Sequence, residues 1–155
     1  MKIGIIGAGF IGRALAALGV KAGHDVMISN SRAPITLGST AVALRCRIGT
    51  AEEAANFGDV VVLAIPFVNY AAVPATPLTG KIVIDANNYY PQRDGHFAAL
   101  DKHETTTSEV VAKHLSGAKV VKMFNAILQG DLESDGRAKG SPDRRSEERR
   151  VGKEC

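Results

Sequence analysis

A glycine motif between a strand pattern and a helix pattern constrains the fold of this chain more than any other feature. The apolar run Lys2–Ile6 has the composition of a strand that is buried on both faces of a parallel sheet. Gly7, Gly9 and Gly12 follow it directly, and apolar residues then recur at helical spacing over residues 11–22. This order of strand, Gly-x-Gly-x-x-Gly turn and helix is the fingerprint of a dinucleotide-binding unit.

The three glycines have different roles in such a turn. Gly7 permits the tight turn, Gly9 lets the backbone approach a pyrophosphate, and Gly12 lets the helix pack closely on the strand. The helix N-terminus would then face the phosphates with unpaired N–H groups and a partial positive charge. A glycine-rich turn without a ligand is the alternative, but the strand and helix on either side favour nucleotide binding.

The residues after the second predicted strand, Asp25–Ser29, indicate which dinucleotide binds. They are Asn30, Ser31 and Arg32, at the position where an NAD-selective site has Asp or Glu. No carboxylate is present to bond a ribose 2′-hydroxyl or to repel a 2′-phosphate. Ser31 offers a hydroxyl, and the Arg32 guanidinium can form paired hydrogen bonds to phosphate oxygens. The sequence therefore predicts NADP as the cofactor, with a solvated loop charge as the alternative for Arg32.

Strand and helix patterns continue to alternate along the rest of the chain. Further strands are predicted over Arg47–Gly49, Asp59–Ile65, Lys81–Asp85 and Ala118–Met123. Helices are predicted over Pro34–Arg45, from Thr50 to near Gly58, over Phe67–Val73 and from Thr106 to Leu115. Short connections and right-handed crossovers imply an α/β fold with a doubly wound parallel sheet, the Rossmann fold, in the strand order 3-2-1-4-5-6.

Ligands of such a sheet lie beyond the carboxyl ends of its strands, so the residues that follow the later strands are candidates for the site. Asn87 and Asn88 could contact a ligand or could hold their own turn, and the sequence leaves both open. His96 and His103 could face a substrate, although a surface position is commoner for a loop histidine. No catalytic residue is predicted, and hydride transfer from a nicotinamide needs none beyond orientation and a dry pocket.

Composition excludes several classes of protein. The 155 residues are 45% apolar and 23% charged, which is typical of a single globular domain. No stretch approaches the roughly 20 apolar residues of a membrane span, and no cleavable signal precedes the glycine motif, so a cytoplasmic protein is expected. The net charge of +3 is scattered, which argues against a nucleic-acid partner. Cys46 has no Cys or His partner at metal-ligand spacing, so no metal site is predicted.

The last eleven residues, Arg145–Cys155, differ from the rest of the chain. They carry four basic and three acidic side chains without hydrophobic periodicity. They resemble the translation of a sequencing adapter, so we interpret them as a non-native tail that makes no contact with the sheet. The cofactor-binding domain is then expected over residues 1–144, with truncation near Arg144 and with 129–144 in a loop-like conformation.

Five segments together resemble one family of reductases. They are MKIGIIGAGFIGRALA, SNSR, VVVLAIP, VIDANNYYP and KMFNAI. The chain resembles, over about residues 1 to 130, the NADPH-dependent reductases of coenzyme F-420, an 8-hydroxy-5-deazaflavin. The same module is described broadly as the catalytic N-terminal domain of pyrroline-5-carboxylate reductase. The resemblance implies a pyrophosphate loop of Gly7, Ala8, Gly9, Phe10, Ile11 and Gly12, a 2′-phosphate site of Ser31 and Arg32, and a nicotinamide pocket at Ala64, Ile65 and Pro66. Asn30 and Asn87 complete the candidate cofactor residues.

The expected function is hydride transfer between NADPH and a small-molecule acceptor, with coenzyme F-420 as one candidate co-substrate. Two alternatives remain open at this point. One is a sensor or scaffold that binds NADP without turning it over. The other is a pyrroline-5-carboxylate or imine reductase, in which a helical C-terminal domain and a dimer partner complete the site. A homodimer of the full-length protein is therefore a further expectation.

Overall fold

The computed structural model describes residues 1–134, Gly136 and residues 149–150. Six parallel strands form the body of its sheet, in the order β3-β2-β1-β4-β5-β6, and a short antiparallel strand follows β6 at the edge. The strands are β1 (Lys2–Ile6), β2 (Asp25–Ser29), β3 (Arg47–Gly49), β4 (Val60–Leu63), β5 (Ile82–Asp85) and β6 (Lys119–Lys122). The predicted doubly wound Rossmann topology is confirmed.

Helices connect the strands on both faces of the sheet. They are α1 (Phe10–Lys21), α2 (Gly38–Leu44), α3 (Ala51–Phe57), α4 (Pro91–Asp94), α5 (Ala98–Asp101), α6 (Thr107–His114) and α7 (Asp131–Ser134), with 3-10 helices at Pro34–Leu37, Phe67–Ala72 and Thr76–Leu78. Both predicted capping boxes are present: Thr50 and Thr106 each accept from the backbone N–H three residues on, and the glutamate there bonds back. Among the described residues every helix is too short or too polar to span a lipid bilayer.

Two apolar layers hold the sheet in place. Successive β1 residues point to opposite faces, so Ile5 packs with Ala16 of α1 while Ile6 packs with Ala54 of α3. Both isoleucines are at most 5% exposed. Burying side chains of this size contributes about 1.5–3 kcal/mol each, so both faces of β1 stabilise the sheet.

A wide apolar cavity of about 1210 Å³ lies on the α1 face of the sheet, beyond the part that α1 covers. Its floor is formed by side chains of three central strands, among them Ile3, Val60 and Ile84. Leu15 and Leu18 of α1 line it as well. Ile82 at its edge is 45% exposed, which is unusual for a strand residue of a doubly wound sheet.

Several predicted elements differ from the observed ones. The helix predicted over Pro34–Arg45 is split into a 3-10 turn and α2, because Pro34 begins the first and Gly38 begins the second. The prediction that residues 129–144 are loop-like is wrong at α7, where Leu132 is 6% exposed and anchors a single turn. One turn is too short to produce helical periodicity in the sequence.

The end of the chain also departs from expectation at two residues. Arg149–Arg150 forms a short strand, β7, which pairs antiparallel with β6. The expectation that the tail makes no contact with the sheet is wrong at this pair. Strand β6 is otherwise an edge strand, and its unpaired backbone groups can accept an extended segment whatever its sequence. The other residues of 145–155 lie outside the described residues, and the foreign origin of the tail stays a prediction.

Candidate cofactor site

A cleft of about 510 Å³ lies beyond the carboxyl ends of β1, β2 and β4. Three loops meet there because parallel strands end at the same edge of the sheet. Nine of the predicted cofactor residues line the cleft: Gly7, Ala8, Gly9, Asn30, Ser31, Arg32, Ala64, Ile65 and Pro66. The structure thus brings together the three segments that the sequence placed in one site.

The glycine turn has the backbone geometry that its sequence predicts. Gly7 has φ +114°, and a Cβ there would lie 2.1 Å from Ala64 O. A Cβ on Gly12 would lie 1.9 Å from Gly7 O. Both contacts are impossible for a real side chain, so the protein itself requires glycine at these two positions.

Gly9 differs from the other two glycines of the turn. A Cβ built on it meets no atom within 4 Å, and its φ of −73° is open to any residue. Because Gly9 lines the cleft, the space above it belongs to the cleft and not to the protein interior. This open position next to the backbone fits the approach of a pyrophosphate.

The N-terminus of α1 gives the cleft a positive potential. No side chain caps the helix at Gly9, and no acidic residue lies in its first turn. The first N–H groups of the helix therefore keep their hydrogen-bonding capacity and their share of the helix dipole. An anionic group in the cleft would be stabilised by both.

Two arginines add full positive charges to the same cleft. Arg32 was predicted, whereas Arg13 was not, although both line it. Arg13 Nε donates to Ala8 O over 2.9 Å, which fixes the guanidinium beside the glycine turn. No aspartate or glutamate from the described part of the chain lines the cleft. A basic residue in the first turn of a helix opposes the helix dipole, and that was the available sequence signal for Arg13.

The loop that carries Arg32 is held by Asn30. Asn30 Oδ1 accepts from the Arg32 backbone N–H over 2.9 Å, and Nδ2 donates to Thr36 Oγ1 over 3.0 Å. Thr36 Oγ1 in turn donates to Ala33 O. Both polar atoms of the Asn30 side chain thus have partners within the loop, and they fix the backbone of the segment that carries Ser31 and Arg32.

Four of the predicted cofactor residues do not line the cleft. Phe10 starts α1 and is 79% exposed, Ile11 is half-buried, and Gly12 is buried beneath the turn. Asn87 is 2% exposed and lies behind the loop that follows β4. Cofactor contact by these residues stays a prediction.

The residues after β4 form one side of the cleft, here called the wall, and this wall extends beyond the predicted Ala64–Pro66. After Pro66 the chain turns into the 3-10 helix Phe67–Ala72, and Asn69, Ala72 and Val73 also line the cleft. The wall is fixed at Ile65, whose backbone N–H donates to Asn87 Oδ1 over 2.9 Å. The sequence predicted a helix over Phe67–Val73, and the structure forms it as a 3-10 helix that ends one residue earlier; its place beside the cleft was not predicted.

The two loop histidines predicted as candidates, His96 and His103, do not line the cleft. His96 Nδ1 is 3.0 Å from Asp101 Oδ2 on the surface, and hydrogen bonds from Tyr89 and His96 lower the pKa of the Asp101 carboxyl. His114 is the last residue of α6, and its Nε2 lies 2.8 Å from the backbone oxygen of Val73, a residue that lines the cleft. No histidine of the described residues lines the cleft. The chemistry of the cleft therefore depends on the ligand that the cleft binds and orients.

Residues 2–89 match the model of a protein family described as the coenzyme F420-dependent NADP oxidoreductases. This chain belongs to that family. The prediction of an NADP-dependent oxidoreductase is therefore confirmed at the level of the family. The match ends just after Asn87 and Asn88, so it includes all three cleft-lining segments.

Solved structures agree with this assignment to the F420-dependent NADP oxidoreductases. A hypothetical protein from Sinorhizobium meliloti is 34% identical with a TM-score of 0.72, over 87% of this chain and 66% of its own. A protein from Arthrobacter sp. FB24 described as an F420-dependent NADP reductase is 26% identical with a TM-score of 0.77, over 90% and 69%.

More distant structures share the fold alone. An imine reductase from Bacillus cereus BAG3X2 is 19% identical with a TM-score of 0.63, over 83% of this chain and 42% of its own. A search among curated proteins finds no match. This member of the F420-dependent NADP oxidoreductases spans about two thirds of the length of the Sinorhizobium and Arthrobacter proteins and less than half of the imine reductase.

Proposed function

We propose that this chain binds NADPH and presents its nicotinamide for hydride transfer to a deazaflavin of the F-420 type. The observation that carries the proposal is the charge of the cleft, which Arg13, Arg32 and the α1 N-terminus line without an opposing carboxylate among the described residues. NADPH carries three phosphates, so it suits such a site better than a neutral ligand does.

The cleft fits NADP in three parts. The open space over Gly9 and the α1 N-terminus would hold the pyrophosphate. Ser31 and Arg32 would hold the 2′-phosphate, because both line the cleft on a loop whose backbone the Asn30 side chain fixes. The nicotinamide would lie against Ala64–Pro66, whose apolar side chains exclude water. The bound cofactor supplies the hydride, and the residues of the chain supply binding and orientation.

The first prediction concerns the choice between NADPH and NADH. Arg32→Ala should weaken NADPH binding by roughly tenfold to more than a hundredfold, the value of a charged hydrogen bond. NADH binding should change little, because NADH has no 2′-phosphate. Titration calorimetry with both cofactors measures this. Lys21→Ala, which removes an exposed charge outside the cleft, is the matched control. Equal losses for NADPH and NADH would contradict the assignment of Arg32.

The second prediction concerns turnover. The absorbance of NADPH should fall when coenzyme F-420 is added with the protein, and should stay constant with either component alone. A cyclic imine in place of the deazaflavin tests the imine reductase alternative. Tight NADPH binding without consumption by either acceptor would overturn the proposed hydride transfer and would favour a binding role.

A further inference from the structure

A buried polar network lies directly behind the cleft wall that follows β4. Its centre is Asp85, the last residue of β5, which is fully buried. Asp85 Oδ1 accepts from the Asn87 backbone N–H over 2.9 Å, and Oδ2 accepts from Ser108 Oγ over 2.7 Å. Lys122 Nζ lies 3.2 Å from the same Oδ2. A buried carboxylate needs such partners, and here they come from the loop after β5, from α6 and from β6.

The register of the sheet explains why Lys122 reaches this point. Asp85 and Lys122 are paired residues of β5 and β6, so their side chains leave the sheet side by side. Lys122 Nζ also donates to Asn87 O. The ion pair thus holds Asn87 by both of its backbone groups, the N–H through Asp85 and the carbonyl through Lys122.

Asn87 connects this buried network to the wall of the cleft. Its Oδ1 accepts from the Ile65 backbone N–H, and Ile65 lines the cleft on the side of the proposed nicotinamide site. Its Nδ2 is buried, and the described residues offer it no hydrogen-bond partner. Leaving a buried amide donor unpaired costs free energy, so the side chain is not optimised for stability alone.

We propose that Asn87 is a positioning residue for the nicotinamide half of NADPH, acting through Ile65 and held by the Asp85–Lys122 pair. This inference rests on the proposed function. Asn87 lies behind the wall and does not line the cleft, so it sets the position of Ala64–Pro66 without contacting the cofactor. The residues proposed to bind the adenosine half lie on the loop after β2, whereas the hydrogen bonds of Asn87 join it to Ile65, Asp85 and Lys122.

The test compares two ligands that share the adenosine half. NADPH contains the nicotinamide, whereas adenosine 2′,5′-bisphosphate lacks it but keeps the 2′-phosphate. Asn87→Ala removes the acceptor of Ile65 N–H, and we expect it to weaken NADPH binding by roughly five- to tenfold, the value of one hydrogen bond. Binding of adenosine 2′,5′-bisphosphate should stay unchanged within error. Only a positional effect on the nicotinamide side changes the ratio of the two affinities.

Asn88→Ala is the matched control, because Asn88 donates to Asn125 O and has no bond to the wall. It should leave the ratio of affinities unchanged. Equal losses for both ligands in Asn87→Ala, or no loss for either, would overturn the proposal. If Asn87→Ala does not fold, Asn87→Ser serves in its place, and failure of both to fold would show a purely structural role. If the unaltered protein binds neither ligand, the proposed function fails instead.

Discussion

Valine in place of Gly9 is expected to abolish tight NADPH binding while the protein stays folded. The structure has no atom within 4 Å of the position that a Cβ would take, and the backbone there has an ordinary φ. The branched side chain would therefore occupy the space of the pyrophosphate and not that of the protein. Loss of the charged hydrogen bonds to the α1 N-terminus costs about 1.5–3 kcal/mol per bond, which is roughly tenfold to more than a hundredfold in affinity.

Two other glycine substitutions isolate this effect. Gly12→Val should unfold the domain, since its Cβ would lie 1.9 Å from a backbone oxygen. Gly130→Val has open space like Gly9 but lies outside the cleft, so it should bind NADPH normally. Circular dichroism and calorimetry on the three variants separate folding from binding. Normal NADPH binding by a folded Gly9→Val would show that the glycine turn is not the pyrophosphate site.

Removal of the Lys122 charge should produce a large loss of stability. Its side chain is 13% exposed and that of Asp85 is 0% exposed, so Lys122→Met leaves a carboxylate buried without its cation. Breaking a buried ion pair on one side costs about 3–5 kcal/mol, a large part of the free energy of unfolding of a small domain. Urea denaturation of the variant measures that free energy.

A double variant tests the cause of this loss. Asp85→Asn together with Lys122→Met removes both charges, and should recover much of the stability that Lys122→Met loses. The amide that replaces the carboxylate could still accept from the Asn87 backbone N–H and donate to Ser108 Oγ. A double variant no more stable than Lys122→Met would show that packing of the lysine, and not its charge, supports this end of the sheet.

The first half of the fold was predictable because each signal is local. Strands β1, β2 and β3 have the predicted bounds, and the capping box at Thr50 starts α3 where expected. The glycine turn forces the chain from β1 into α1, since Gly7 and Gly12 admit no side chain. Turn chemistry and short-range periodicity suffice for such elements.

Most of the unpredicted parts depend on contacts between distant residues. Arg13 is an exception, because its contact with Ala8 O is local and the sequence gives it only one weak signal. The role of Asn87 depends on Ile65 and Lys122, which are 22 and 35 positions away. The sequence left open whether Asn87 contacts a ligand or holds its turn, and the fold adds a third role that only the sheet register defines.

The wide apolar cavity beside α1 affects how this domain responds to temperature. Ile82 and its neighbours in the cavity already expose apolar surface in the folded state, so unfolding exposes less new apolar surface there. The heat capacity change of unfolding scales with the apolar surface that unfolding newly exposes. It should therefore be smaller than for a fully covered sheet of the same length. The free energy of unfolding would then vary less with temperature. It would also decrease only slightly on cooling below the temperature of maximum stability.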